Sequence, residues 1–163
     1  MGEALYYKEK DNMLFLRAEG HVTAALCADL RERVFARFEE SPAVRAVFID
    51  LSACDYMDST FMGLIVGFNK RLARSSSVRL SIVKPTETAR ELLSGLGLAA
   101  LVDIVETAEP FPGDMENVVK TKSANAELLL KAHENLMELS EENRQKFALL
   151  HAALKKNSEK KEE

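Results

Sequence analysis

The strongest constraint on this fold is a repeated exchange between two hydrophobic periods. Residues 44–51, VRAVFIDL, and 78–83, VRLSIV, are short apolar runs rich in β-branched side chains, the pattern of strands, and the first suits a strand buried on both faces. Between and around them apolar residues recur every three or four positions. Cys27, Leu30, Val34 and Phe38 mark one helix, opened by Thr23 as N-cap and stopped at Glu39-Glu40-Ser41-Pro42. Residues 59–74 mark a second, and a third starts at the capping-box pair Thr88 and Glu91 and ends near Ser94-Gly95. Ahead of them, Tyr6-Tyr7 and Met13-Leu14-Phe15-Leu16 flank the polar turn Lys10-Asp11-Asn12 and read as a hairpin whose second strand ends at Gly20. Residues 101–105 supply a last strand. Strands joined by single helices are parallel neighbours. The expected fold class is therefore α/β, one mixed sheet of four or five strands with helices packed on it.

The chain changes character near Glu109-Pro110-Phe111-Pro112-Gly113-Asp114, where two prolines and a glycine prevent regular structure. All seven glycines and four prolines lie at or before Gly113. We expect a domain over residues 1–108, a linker over 109–122, a helical extension over 123–157 and a disordered tail over 158–163. The extension carries Leu129, Ala132, Leu136, Leu139, Asn143, Phe147, Leu150 and Leu154 at spacings of three and four. That is a long amphipathic helix, with a break expected near Ser140. The polar Asn143 within the stripe argues against a continuous coiled coil. Its apolar face can mediate a homodimer, dock on the domain itself, or bind a second partner.

Several function classes are disfavoured. The 163 residues carry a formal net charge of −4, whereas a nucleic-acid surface needs a basic balance. Two cysteines and three histidines are too scattered for a disulfide scaffold or a zinc site, so no metal and no cofactor are expected. The N-terminus lacks the basic start and apolar core of a secretory signal, and no stretch approaches the roughly 18 apolar residues of a membrane span. A cytoplasmic location without direct membrane insertion is expected. There is no phosphate-binding GxxxxGK[ST] loop, no HExxH and no Gly-x-Ser-x-Gly elbow. A Ser-His-Asp set would have to combine Ser59 and Asp50 with His21, His133 or His151, and no arrangement of these along the chain favours one. The chain is not expected to be an enzyme.

The most informative stretch runs from Phe48 to Leu72. A strand carries Asp50, a loop carries Asp55, Tyr56 and Asp58, and Ser59 and Thr60 open a helix. Free N–H groups and the helix dipole make such an N-terminus hospitable to a phosphate, so Ser59 is a chemically sensible phosphoacceptor. Capping by Asp58 or Ser59 is the plain structural alternative. Gly63 and Gly67 permit close approach to the sheet or a neighbouring helix.

Asp50-Leu51-Ser52, the short loop and Asp58-Ser59-Thr60, followed by Leu92-Leu93-Ser94-Gly95-Leu96-Gly97-Leu98, resemble the two hallmarks of the STAS domain (sulfate transporter and anti-sigma factor antagonist). The resemblance extends from about Leu5 to Glu106. It implies an anti-sigma factor antagonist whose Ser59 is phosphorylated by a partner that is both serine kinase and anti-sigma factor, and dephosphorylated by a serine phosphatase. Unphosphorylated antagonist would hold that kinase and free the sigma factor. About two added negative charges beside Asp55 and Asp58 would break the complex. The implied docking surface is Thr23, Asp55, Asp58, Thr60, Phe61 and Met62, with Thr60 a second candidate acceptor. Thr23 stands where many antagonists have an acidic residue, and Phe61 where many have glycine. The same fold also serves as an accessory subunit of a phospholipid-trafficking ABC transporter and as a scaffold of stress complexes.

Overall fold

The computed structural model describes residues 3–106 and 111–161, the side chains of 158–161 excepted. Strands β1 (Ala4–Lys10) and β2 (Met13–Val22) form the expected antiparallel hairpin. Asp11 and Asn12 both take positive φ, 55° and 61°, the backbone that two-residue hairpin turns require. The chain then passes through a short 3-10 turn (Ala24–Leu26) and α1 (Cys27–Phe38) into β3 (Ala46–Met57), which lies parallel to β2. Helix α2 (Ser59–Ser76) leads to β4 (Ser81–Val83), and α3 (Glu87–Gly95) leads to β5 (Asp103–Val105), both strands parallel to their neighbours. A sixth strand, β6 (Glu116–Asn117), pairs antiparallel with β1, giving the order β5-β4-β3-β2-β1-β6.

Alternation along β2 sends Leu14, Leu16 and Ala18 to the face covered by helices, where they join Leu30 and Val34 of α1 and Ile65 and Phe68 of α2 in the core. Phe15 points the other way and stacks on Phe48, with the Phe111 ring edge-on to it. The core continues into Leu128 and Leu136 of α4 (Ala126–Met137) and Phe147 of α5 (Glu141–Lys161). The expected break near Ser140 falls between these two helices.

Local departures from the sequence expectations have local causes. Gly20 does not end β2: with φ +74° it sits at a bulge, and the strand pairs with β3 as far as Val22. β3 likewise continues through the expected polar loop to Met57. Its residues 46, 48 and 50 are only half-buried, so it is not enclosed on both faces. Helix α3 is capped by Thr86, whose Oγ1 accepts the Ala89 N–H at 3.1 Å and donates to the Cys54 carbonyl at 2.7 Å; Thr88 lies inside the helix. The sheet has six strands because β6 forms within the stretch expected as linker. Residues 109 and 110 of the expected boundary lie outside the described residues. Helical backbone reaches Lys161, into the stretch expected to be disordered.

Candidate functional site

Ser59 is the first residue of α2, immediately after β3, and this strand-to-helix corner is fixed by Asp58. Asp58 Oδ1 accepts the Phe61 N–H at 2.9 Å, satisfying one of the free donors of α2. Its Oδ2 accepts the Ala24 N–H, also at 2.9 Å, and so ties α2 to the 3-10 turn after β2. Asp58, not Ser59, is therefore the cap. Thr23, expected to cap the first helix with its side chain, makes no such bond; its carbonyl receives the Leu26 N–H and the Cys27 thiol instead.

The Ser59 hydroxyl is left for another partner, and it finds one far along the chain. Its Oγ lies 2.8 Å from Nε2 of His133 on α4. The ring's Nδ1 is 2.7 Å from the Leu129 carbonyl, an oxygen that can only accept, so Nδ1 carries a proton. In the neutral ring Nε2 is then the acceptor and Ser59 the donor. His133 is 2% exposed and meets the Phe147 ring edge-on, whereas Ser59 itself is half-buried.

This joins two members of the conceivable Ser-His-Asp set but not the third. Asp50 is held by Arg17 Nε at 3.1 Å and by the Ser52 N–H at 2.8 Å. His133 is oriented by a carbonyl, which lacks the charge that stabilises an imidazolium in a triad. A cavity of about 560 Å³ between α1, α2 and α4 is lined by Phe35, Leu64 and Leu128 among others but not by Ser59 or His133, so the pair does not open onto it.

The expected docking residues separate into two sets. Asp55 is exposed at the end of β3, beside the exposed Tyr56, and Asp58 and Thr23 are half-buried. Thr60, Phe61 and Met62 are 3%, 1% and 4% exposed. The expectation that they present apolar area to a partner is corrected: Phe61 and Met62 belong to the core of the chain itself. Thr60 is equally withdrawn from a second acceptor's place.

The residues that sequence reasoning did not assign to the site all lie on the C-terminal helices. Asn135 Nδ2 donates to the Gly63 carbonyl at 3.1 Å, and Lys70 Nζ meets Glu138 at 2.6 Å. Asn143 Nδ2 donates to the carbonyls of Leu96 and Leu136, at 2.8 and 2.9 Å. Asn143 carries the one sequence signal among them, a polar side chain set in an otherwise apolar stripe; Asn135 and Glu138 lie outside that stripe. Two buried thiols lie beneath the corner. Burial, with the Asp58 charge added, pushes the Cys27 thiol far up, and burial raises Cys54 to about 11.

A family model described as STAS domain matches residues 5–110. Among solved structures, a protein from Thermotoga maritima, TM1081, described as a candidate anti-sigma factor antagonist, is similar at 26% identity and TM-score 0.54, covering 62% of this chain and 85% of that one. The anti-sigma factor antagonist SpoIIAA in its unphosphorylated form is similar at 20% identity and TM-score 0.53, over 63% of this chain and 88% of that one. An anti-sigma factor antagonist from Mycobacterium paratuberculosis shares 18% identity at TM-score 0.54, over 65% and 87%. The last two likenesses concern the fold alone. Among curated proteins, none matches. No helix of the described residues is long and apolar enough to cross a membrane.

Proposed function

The chain belongs to the STAS domain family, and from that premise we propose that it is an anti-sigma factor antagonist, a binding protein switched by phosphorylation of Ser59. In this reading the unphosphorylated protein engages a cytoplasmic anti-sigma factor that is also its serine kinase, and so frees a sigma factor for transcription. A serine phosphatase resets it. The switch resides in residues 1–108, joined through 109–122 to the helical extension over 123–157.

The observation that carries this reading is the division of labour at the start of α2. Asp58 performs the capping, so the Ser59 hydroxyl is not committed to holding the helix together. A phosphate there would meet the positive end of the helix dipole and stand beside the Asp58 carboxylate and near the exposed Asp55. Phosphoryl transfer needs nucleotide, metal and a base that the kinase would supply, and this chain need only present a hydroxyl.

The test is mass spectrometry of tagged protein captured from its native cells, reading Ser59 and the co-purifying chains together. Phosphate on Ser59 with a small serine kinase is the expected result. Unmodified Ser59 with a transporter ATPase would replace this reading by the accessory-subunit one. With the kinase in hand, Ser59→Asp should weaken binding and Ser59→Ala should bind persistently; equal wild-type affinity for both would refute the charge switch.

A further inference from the structure

The same hydroxyl that the proposed switch requires is bonded to a buried histidine of the C-terminal extension. Contact along α2 is close. A methyl group at Gly63 would lie 2.1 Å from the Ala132 carbonyl oxygen and 2.8 Å from the Ala132 Cα, so α4 can lie where it does only because residue 63 has no side chain. Around this point Asn135 donates to the Gly63 carbonyl, Lys70 pairs with Glu138, and Leu128, Ala132 and Leu136 are buried. Helix α5 adds Asn143, bonded to the Leu96 carbonyl just after α3. Before α4, the Asp29 carboxylate accepts the N–H groups of Thr121 and Lys122, at 2.9 and 3.1 Å, which ties the approach to α4 onto α1.

We propose that α4 and α5 form an intramolecular cap over Ser59 and the adjoining face of α2, and that the cap must lift before Ser59 can be modified. A kinase has to place a phosphoryl group in line with the acceptor oxygen. Here that oxygen is in hydrogen-bond contact with a ring that is 2% exposed, on a helix sealed against α2 by an interhelical contact with no room for a methyl group. The polar links of α4 to α2 are side-chain hydrogen bonds and one exposed ion pair, whereas its Leu128 and Leu136 are continuous with the domain core, so lifting the cap exposes apolar surface and the closed form is the resting one. The proposal rests on Ser59 being the acceptor for its biological meaning, but the occlusion is measurable without any partner.

The experiment replaces Ser59 by cysteine in the full chain and measures its alkylation by N-ethylmaleimide at pH 7.5. Cys27 and Cys54 are fully buried with raised thiol pKa values and give a slow background. The capped chain should react well below the rate of the same protein in urea. Adding Gly63→Ala, which forces α4 away while leaving the other neighbours of α2 in place, should raise the rate by roughly tenfold or more, the shift expected when a tight contact is overpacked. Asn135→Asp, which turns a carboxylate toward the Gly63 carbonyl from the α4 side, should act in the same direction and guards against a folding defect in the glycine variant. An unprotected Ser59→Cys thiol in the parent chain overturns the cap, as does a rate indifferent to both variants while the proteins remain folded by circular dichroism. The phosphorylation reading fails separately: a protected thiol released by Gly63→Ala, with Ser59 unphosphorylated in cells producing either chain, keeps the cap and removes the kinase.

Discussion

Asp58 gives the sharpest numerical test of how the corner is built. Its two oxygens do different work, one capping α2 through Phe61 and the other holding the Ala24 N–H of the segment after β2. Removing a cap costs about 1 kcal/mol within a range of roughly 0.5–2. A hydrogen bond to a charged acceptor contributes about 1.5–3 kcal/mol when buried, and less here because Asp58 and Ala24 are only half-buried. Asp58→Ala should therefore cost about 2–3 kcal/mol. Asp58→Asn keeps one acceptor for the cap but turns an NH₂ toward a second donor, which should cost about 1 kcal/mol. For a chain of 163 residues each kcal/mol lowers Tm by roughly 2–4 °C, so the alanine variant should melt about 5–10 °C below wild type and the asparagine variant between them. Urea titrations should show the same order in midpoint with an unchanged slope. An alanine variant within about 0.5 kcal/mol of wild type would refute the capping role. Asparagine equal to wild type would refute the bond to Ala24.

Two further perturbations address the attachment of the C-terminal helices. Asn143→Leu removes the side-chain donor to the Leu96 and Leu136 carbonyls, of which Leu136 keeps the Leu139 N–H, and should cost about 1–3 kcal/mol, seen as faster amide exchange in α4 and α5 than in α2; unchanged exchange would refute the anchor. Partial burial pushes the Asp29 carboxyl up, but hydrogen bonds from Thr121 and Lys122 outweigh it and hold the group below its ordinary value of 3.8. A folded pKa below the unfolded one means that the clasp stabilises above the ordinary carboxylate range and is lost as pH falls through the depressed value. The Thr121 and Lys122 amide resonances should therefore shift together in strong acid and stay flat in Asp29→Asn, and a titration unaffected by that substitution would refute the assignment.

The alternation of periods was enough to place the hairpin, the three crossover helices and the parallel strands, because each element buries a face that its own residues define. What one strand or helix does to another was not legible in the same way. Residues 52–57 read as a polar loop, yet they continue β3 because β2 extends beside them through the Gly20 bulge and offers backbone partners. Thr60, Phe61 and Met62 followed a recognisable motif, but their exposure depended on packing that the motif does not encode. Gly63 and Gly67 announced close packing without naming the neighbour, which proved to be α4 at Gly63 and, at Gly67, Asn135 of α4 with Phe35 of α1. Asn143 looked like a flaw in an apolar stripe. Its two carbonyl partners come from a turn 47 residues earlier and from the preceding helix, and no local pattern could have supplied them.

The placement of polar groups under the extension follows from what each would cost if left alone. Ser59 is half-buried, and a leucine in place of His133 would give its hydroxyl no partner on the helix that faces it when α4 is docked. The imidazole resolves that, but only for a serine bearing no larger group, because the two heavy atoms are already at hydrogen-bond contact. A phosphate on Ser59 and the closed position of His133 compete for the same space. In the proposed switch closure and phosphorylation are therefore linked equilibria: whatever lifts the cap would favour modification, and modification would hold the cap open by the same free energy. In the proposed switch the charge added at Ser59 would act twice, once on the partner and once on the helix that covers the hydroxyl.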